Sequence, residues 1–262
     1  MSATLSLREC TKRFGGVVAA KNASLRVGAG ELVGLIGPNG AGKTTIFNLI
    51  TGVYQPDEGQ ILLDEQSLLG LKPHEIAGAG VGRTFQNIRL FKDLSALDNV
   101  LVACHLHSET GLPSSLLRTS RSLNDEHKLK MKAVHLLHLL GLGKFERETA
   151  SSLPYGEQRR LEIARALATD PQVLLLDEPA AGMNPHETGQ LMDLIRQVRR
   201  DFQLSILLIE HDMKVVMGIC ERIYVLDYGE VISQGTPEVV RNDPKVIEAY
   251  LGEPLTQAGE GA

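Results

Sequence analysis

The chain has 262 residues with a formal net charge of −5, which argues against a nucleic-acid-binding protein because such proteins carry a basic surface. With 43% hydrophobic residues, this length is sufficient for one large domain or two closely packed lobes with a buried core. Three separated cysteines without a CxxC pair indicate neither zinc nor a disulfide framework, and no apolar run approaches the roughly 18 residues of a membrane span.

Short strands are predicted over residues 4–9, 22–27 and 31–36. The third is an apolar run (ELVGLI) that leads directly into the sequence GPNGAGKTT at residues 37–45. Residues 44–50 contain no helix breaker and predict a helix. The glycine-rich segment therefore has the strand–loop–helix context that a phosphate-binding loop requires.

This loop predicts binding of a nucleoside triphosphate. Its glycines let the backbone curl so that successive N–H groups point at phosphate oxygens, and the helix N-terminus adds partial positive charge. Lys43 can then reach the β- and γ-phosphates, and the Thr44 hydroxyl can ligate Mg²⁺. The predicted phosphate contacts are Gly37, Pro38, Asn39, Gly40, Ala41, Gly42, Lys43, Thr44 and Thr45.

The middle of the chain changes from strand to helix character. A turn at residues 56–59 precedes a predicted strand over residues 60–64, and the pattern is helical from about residue 97 to 150. A segment rich in Ser, Pro and Gly, from Gly111 to Ser122, predicts a surface loop between the helices. An apolar stripe at helical spacing consists of Leu129, Ala133, Leu136, Leu137 and Leu140.

A second chemical constellation follows the apolar strand predicted over residues 173–177, which ends in two carboxylates. Asp177 is expected beside the metal held by Thr44, usually through water. Glu178 is expected to face the γ-phosphate, where it can orient and polarise an attacking water.

Another apolar strand, over residues 205–209, ends in Glu210, His211 and Asp212. We expect this strand to lie beside the strand that carries Asp177, so that the His211 imidazole can hydrogen-bond the γ-phosphate. A further strand over residues 222–226 completes an alternation that implies a mostly parallel, buried sheet.

The C-terminal part predicts two short helices and a tail. Thr236 and Asp243 are each followed by proline, which is the pairing of an N-cap with proline at the first helical position. The residues after Gly252 are small and polar, and they predict a flexible tail.

The order of these motifs resembles that of the ATP-binding cassette (ABC) transporter ATPases over nearly the whole chain. It includes RTFQ at residues 83–86, LPYGEQ at 153–158, LLLDEP at 174–179 and EHD at 210–212. The resemblance implies an α/β P-loop ATPase with a mostly parallel core sheet, an antiparallel N-terminal β part and an inserted α-helical subdomain. The expected division is a single domain 1–252, with a RecA-like core and β subdomain (1–87 and 161–235), a helical signature subdomain (88–160), C-terminal helices (236–252) and a flexible tail (253–262).

The resemblance also assigns roles to individual residues. Phe14 is expected to stack on adenine, and Gln86 to join the Mg²⁺ shell and act as the hinge of the helical lobe. The signature segment is expected to face an ATP held by another chain, and Asn184 to contact that chain. The signature residues are Leu153, Pro154, Tyr155, Gly156 and Glu157. A permease contact is expected at the residues that follow the hinge, Arg89, Leu90 and Phe91, because ATP binding has to move helices that this chain lacks.

Several phrases, such as RTFQNIRLF at residues 83–91 and AYLGE at 249–253, resemble the LivG type of subunit in branched-chain amino-acid importers. This resemblance implies ATP and Mg²⁺ as cofactors. It also implies a second, different ABC ATPase in a heterodimer, two transmembrane permease subunits and, indirectly, a solute-binding protein as partners. The expected location is the cytoplasmic face of the inner membrane, and no nucleic acid is expected as a partner.

Two departures from the family pattern concern the contact between cassettes. Pro154 stands where the signature usually has serine and Tyr155 where it has its first glycine, while Asn184 replaces a common aspartate. Loss of one hydrogen bond to a charged group costs about 1.5–3 kcal/mol. We therefore expect a competent hydrolytic half that offers a poor signature to its partner.

Other classes remain as alternatives. Soluble ABC proteins of translation or DNA repair usually have two cassettes or long coiled-coil insertions, and nucleotide-sensing regulators usually lose the catalytic glutamate or histidine. An exporter or lipopolysaccharide extractor would favour an intact signature. Importers of amides, urea or aromatic acids share the same ATPase design, so the sequence leaves the solute open.

Overall fold

Two β-sheets form the framework of the computed structural model, which describes residues 2–107 and 120–251. One is antiparallel with strand order β2-β1-β4-β5, and the other has the order β10-β9-β3-β8-β7-β6. In the second sheet β9, β3, β8, β7 and β6 are parallel, whereas β10 is antiparallel to β9. The strands are β1 (Leu5–Phe14), β2 (Val17–Val27), β3 (Leu32–Ile36), β4 (Glu58–Leu63), β5 (Gln66–Ser67), β6 (Val81–Arg83), β7 (Val173–Asp177), β8 (Ser205–Ile209), β9 (Arg222–Asp227) and β10 (Glu230–Gly235).

The helices pack on both faces of the larger sheet and form a separate lobe in the middle of the chain. They are α1 (Lys43–Ile50), α2 (Pro73–Gly78), α3 (Ala96–Cys104), α4 (Ser120–Leu139), α5 (Tyr155–Ala168), α6 (Pro185–Phe202), α7 (Met213–Ile219), α8 (Pro237–Arg241) and α9 (Pro244–Leu251). Short 3₁₀ turns occur at His105–His107, Gly143–Phe145 and Ala150–Ser152. No helix in the described part of the chain is both long and apolar enough to cross a membrane.

The central strands β3, β7 and β8 are buried along their whole length. Such uniformly apolar strands are typical of a parallel sheet that is covered on both faces. Leu35 pairs with Ile209, and Ile209 also pairs with Asp177, so the carboxyl ends of these three strands lie side by side. This register determines where the functional side chains meet.

The helical lobe is built from α3, α4 and α5. The apolar stripe predicted from the sequence faces its core: Ala133, Leu136, Leu137 and Leu140 are buried, and Leu129 packs against them. Here the helical period of the sequence correctly identified the buried face.

The fold-class prediction is confirmed, although several element boundaries differ. Strands β1 and β2 form a longer hairpin than the predicted strands 4–9 and 22–27. Strands β5 and β6 were not predicted because two or three residues are too few for a recognisable pattern, and β10 because its residues are only partly buried. Helix α5 also runs across the predicted boundary between residues 160 and 161.

Two segments predicted from the sequence lie partly or wholly outside the described residues. Residues 111–119 of the predicted surface loop lie outside the described residues, and its last residues, from Ser120, belong to α4. The predicted tail 253–262 also lies outside the described residues.

Helix α6 begins with a complete capping box. The Asn184 side chain accepts hydrogen bonds from the backbone N–H groups of His186 and Glu187, both at 3.0 Å. The Glu187 carboxylate accepts the Asn184 N–H in return, also at 3.0 Å. Pro185 occupies the first helical position, where its missing N–H causes no loss.

We therefore expect Asn184→Ala to lower the free energy of unfolding by about 1 kcal/mol, since it removes an N-cap acceptor. Asn184→Asp is the matched control, because aspartate caps equally well. Urea denaturation measures both variants, and an unchanged stability in Asn184→Ala would contradict the capping role.

Candidate nucleotide site

The loop after β3 adopts a conformation that only glycine tolerates at two positions. Gly37 and Gly42 have φ of +152° and +104°. A Cβ at Gly37 would lie 2.0 Å from the Leu226 carbonyl oxygen, and one at Gly42 would lie 2.3 Å from that of Ala19. The loop therefore has the tightly curled backbone that a phosphate cradle needs, and helix α1 begins directly after it.

Lys43 braces this loop from its C-terminal side. Its buried ammonium donates to the carbonyl oxygens of Gly37 at 2.6 Å and Pro38 at 2.9 Å. Burial lowers the pKa of Lys43, and the carboxylates of Glu178 and Asp177 oppose that shift. A cation fixed at the mouth of the loop can contact phosphate oxygens without a large rearrangement.

Three other predicted nucleotide contacts lie on α1 and at the end of β1. Thr44 is exposed in the first turn of α1, and Thr45 is half-buried beside it. Phe14, at the end of β1, is 41% exposed and makes an edge contact with Tyr54 at a centroid distance of 5.0 Å. This exposed ring presents a surface on which a planar base can stack.

Asp177 lies at the end of β7 and is only 3% exposed. Its carboxylate accepts a hydrogen bond from the Arg83 guanidinium at 3.0 Å, and its backbone N–H donates to the Thr84 hydroxyl. Burial raises the pKa of Asp177, while the Arg83 charge opposes the shift. The predicted metal-binding carboxylate is thus held by an arginine.

The role of Arg83 was missed in the sequence analysis, where it was only one letter of the RTFQ motif. Besides Asp177, its guanidinium donates to Asn48 at 2.8 Å and to Thr51 at 3.1 Å, both on or next to α1. Its charge also lies 5.0 Å from the centre of the Phe85 ring. Arg83 therefore ties the phosphate-loop helix to the strand end that bears Asp177. The available signal was a basic residue three positions before Gln86.

Glu178, Gln86 and His211 converge on one point. The Gln86 amide donates to Oε2 of Glu178 at 2.8 Å, and Nδ1 of His211 lies 3.7 Å from the same oxygen. Glu178 has a left-handed backbone with φ of +46°, which is uncommon for a residue with a side chain. The Glu178 N–H donates to the Ile209 carbonyl, which holds this residue against the end of β8. Backbone strain of this kind is typical of functional sites.

Glu210 binds backbone groups of the segments that carry Glu178 and His211. It is 1% exposed, and its carboxylate accepts the backbone N–H groups of Ala180 at 2.8 Å and His211 at 3.3 Å. Burial raises the pKa of Glu210. The buried carboxylate thus holds the segment after Glu178 and the segment of His211 against each other.

The signature segment begins helix α5. Leu153 is buried, whereas Pro154 and Tyr155 are exposed, and Gly156 and Glu157 are half-buried. Pro154 occupies the N-cap position without a side-chain hydrogen bond, as its chemistry requires.

The side chains that follow the Gln86 hinge are only partly exposed to solvent. Leu90 packs against the core of the helical lobe, whereas Phe91 is 45% exposed beside the Arg165 guanidinium. The Arg89 side chain lies over the Phe85 ring, with its charge 4.4 Å from the ring centre.

The residues predicted to hold Mg²⁺ supply hard oxygen donors, namely a hydroxyl, a carboxylate and an amide, at Thr44, Asp177 and Gln86. The described residues contain no cluster of three or more His, Cys, Asp or Glu side chains that could hold a metal ion. Mg²⁺ is usually bound by one or two protein groups together with water and substrate phosphates, and the three predicted donors are oxygen ligands of the kind that it prefers.

Two family models match the chain. The model described as ABC transporter matches residues 20–181, and the model described as branched-chain amino acid ATP-binding cassette transporter matches residues 230–255. Both matches agree with the resemblance found in the motifs.

Relatives of known name cover almost the whole chain. The high-affinity branched-chain amino acid transport ATP-binding protein LivG of Escherichia coli K12 is 51% identical over 95% of this chain and 98% of its own length. The corresponding protein BraF of Pseudomonas aeruginosa is 48% identical with the same coverage. Among solved structures, the ADP conformation of MJ1267, an ATP-binding cassette of an ABC transporter, has a TM-score of 0.83 at 30% identity and covers 97% of this chain and 100% of its own.

The partner prediction is wrong as it was made. It specified a second, different ABC ATPase, two permease subunits and a solute-binding protein, whereas the matches give only the context of an ABC transporter. The names of LivG and BraF state an ATP-binding role in transport and no subunit composition. The physical reason is that one chain's motifs describe its own chemistry and do not identify the chains it meets. No match tests the contact surface predicted for residues 89–91, which stays a prediction.

The Arg83–Asp177 pair leads to a stability prediction. We expect Arg83→Met to lower the free energy of unfolding by about 3–5 kcal/mol, because it leaves the Asp177 charge buried without a partner. Adding Asp177→Asn should restore part of that loss, since no buried charge then remains. Denaturation without nucleotide measures the three proteins.

Arg222→Met is the control for this series. Arg222 pairs with Glu31 at a partly exposed position, so its removal should cost at most about 1 kcal/mol. Equal losses in Arg83→Met and Arg222→Met would contradict the special weight given to the buried pair.

Proposed function

The chain belongs to the ABC transporter family, and we propose that it is the ATP-hydrolysing subunit of an importer of branched-chain amino acids. The observation that carries the ATPase assignment is the convergence of Gln86 and His211 on the Glu178 carboxylate, which also interacts electrostatically with Lys43 at the glycine cradle. Support for the solute comes from the 51% identity to LivG and from the matched C-terminal model.

ATP binding rests on the loop after β3. Its backbone N–H groups and the N-terminus of α1 surround the phosphates, while Lys43, already at the mouth of the loop, contributes positive charge. We expect Phe14 to stack on the adenine, since its ring is exposed at the end of β1.

Mg²⁺ would be held by Thr44 and Gln86, with Asp177 acting through water. When bound, the ion neutralises charge on the phosphates. Asp177 is paired with Arg83 in the structure, so Arg83 keeps the carboxylate oriented while it serves the ion indirectly.

Glu178 is placed to act on the attacking water. Its carboxylate accepts a proton from the water, the Gln86 amide orients that carboxylate, and His211 can donate to the γ-phosphate. Glu178 has a left-handed backbone, and its carboxylate interacts electrostatically with Lys43 of the phosphate loop.

The signature segment acts on a nucleotide bound to another cassette in this proposal. Leu153, Pro154 and Tyr155 open helix α5, and Pro154 offers that nucleotide no side-chain donor. Asn184 is exposed at the start of α6, where a neighbouring cassette can reach it while it also caps the helix.

The protein acts at the cytoplasmic face of the membrane that contains its transporter. ATP is the energy source on that side, and solute import requires the hydrolysis cycle to be coupled to the membrane. The ATPase site does not itself define the transported solute, so the solute assignment is tested by transport.

Glu178→Gln should retain ATP binding and lose about 10²–10⁴-fold in turnover, since it removes a positioned base and keeps the shape. Lys43→Ala should instead weaken ATP binding. A fluorescent-nucleotide titration and a phosphate-release assay separate the two effects. Glu221→Gln is the control, because this surface carboxylate pairs with Arg199 away from the site. Near-normal turnover in Glu178→Gln would overturn the assignment of Glu178.

Transport tests the solute. Cells that lack this chain should lose uptake of radiolabelled leucine, isoleucine and valine, and the wild-type chain should restore it while Glu178→Gln should not. Uptake of urea and of short amides should stay unchanged in the same cells. Loss of urea or amide uptake with normal leucine uptake would assign the chain to a related importer instead.

A further inference from the structure

An arginine and a glutamate are buried together on helix α5, outside the residues assigned to the nucleotide. Arg159 is 0% exposed and Glu162 is 4% exposed, and they form an ion pair at 3.0 Å. A buried ion pair often adds little net stability, because desolvation of the two charges offsets their attraction. Its position therefore calls for a reason other than stability.

The reason lies in the partners of these two side chains, which are backbone groups of the segment that contains Gln86. The Arg159 guanidinium donates to the carbonyl oxygens of Phe85 at 2.7 Å and Gln86 at 2.9 Å. The Glu162 carboxylate accepts the N–H groups of Phe85 at 3.2 Å and Arg89 at 3.3 Å. Helix α5 thus holds the segment 85–89 by donors and acceptors at once.

The residue directly before this segment, Thr84, is bound to the core sheet instead. The Thr84 N–H donates to the Leu175 carbonyl at 2.9 Å, and the Thr84 hydroxyl accepts the Asp177 N–H. Thr84 therefore belongs to the core sheet, whereas from Phe85 onward the backbone is bound to the helical lobe. A change of attachment between adjacent residues is what a hinge requires.

Gln86 connects this hinge to the chemistry. Its side chain contacts the Glu178 carboxylate, while its carbonyl oxygen is held by Arg159. Arg159 also donates to the Tyr155 hydroxyl at 3.0 Å, at the signature end of α5. The Tyr155 ring in turn lies next to Gly182, in the loop that follows Glu178. The contacts form a closed circuit from the catalytic carboxylate to the signature and back.

We propose that Arg159 and Glu162 are positioning residues that fix the backbone of residues 85–89 to helix α5, so that displacement of Gln86 by nucleotide displaces the signature end of that helix. The proposal rests on the proposed ATPase function and extends it to the coupling between the two lobes. Neither side chain is among the predicted nucleotide contacts. Arg159 acts through Gln86 and Tyr155, and Glu162 acts through the backbone of Phe85 and Arg89.

The test measures movement between the lobes directly. Cys10, Cys104 and Cys220 are buried, so cysteines added at Val53 and Val102, which are 52% and 47% exposed, can be spin-labelled selectively. Val53 follows α1 in the core, and Val102 lies on α3 in the helical lobe. Pulsed electron resonance reports their distance with and without ATP and Mg²⁺, in the Glu178→Gln background that prevents turnover.

Four variants are compared: Arg159→Met, Arg159→Lys, Glu162→Gln and, as the control, Arg160→Met. Arg160 is next to Arg159 on the same helix, but it is partly exposed and pairs with Glu157 at 3.7 Å. Turnover is measured with Glu178 intact, and ATP affinity is measured for every variant.

Arg159→Met should bind ATP within about threefold of the wild-type affinity, yet lose most of the nucleotide-induced distance change and about 10- to 100-fold in turnover, because misplaced groups react slowly. Arg159→Lys should recover part of the movement, since lysine can reach one carbonyl but cannot span both. Glu162→Gln keeps an acceptor oxygen and should fall in between. Arg160→Met should match the wild type.

A full distance change in Arg159→Met with wild-type turnover would overturn the proposal. So would a fall in thermal stability with movement intact, because that pattern identifies a merely structural pair. If Arg159→Met does not fold, Arg159→Lys and Glu162→Gln decide the matter by the same two readouts. Absence of ATP hydrolysis in the wild type would instead count against the proposed function itself.

Discussion

The parallel register of β3, β8 and β7 is the constraint on which the rest of the structure depends. These strands are apolar along their whole length, so they are stable only when both faces of the sheet are covered. Because the strands run the same way, their carboxyl ends meet at one edge. The phosphate loop, the Asp177–Glu178 pair and His211 each follow one of these ends, and burial of the apolar strands thereby assembles the site.

Charged side chains beneath the site are paired before any nucleotide arrives. Arg83 holds Asp177, Lys43 is bound by loop carbonyls, and Glu210 is satisfied by backbone N–H groups. A buried charge without a partner would cost several kcal/mol, so these pairings are required for folding. They also preorganise the site, since groups that are already fixed need no reorganisation during the reaction.

The two lobes meet where the backbone stops being bound to the core sheet and becomes bound to helix α5. Thr84 is bound to the core, and the next residues are bound to α5 by Arg159 and Glu162. Gln86 therefore lies at the junction through which, in our proposal, a displacement near Glu178 also displaces helix α5. Packed elements of this kind move as rigid units about a few hinge residues, so a small change at the hinge produces a larger movement at the far end of the helix.

The sequence by itself determined the phosphate loop, the carboxylates at residues 177 and 178 and the apolar face of α4, because each is encoded in a local pattern of residue types. It determined the fold class through the resemblance of its motif order to a known family. Only the tertiary structure decided that Arg83 grips Asp177 and that Arg159 and Glu162 grip the Gln86 segment. Those pairs join residues that are more than 70 positions apart, and no local periodicity records such a distance. Burial leaves a charge few partners, and the fold alone determines which partners are within reach.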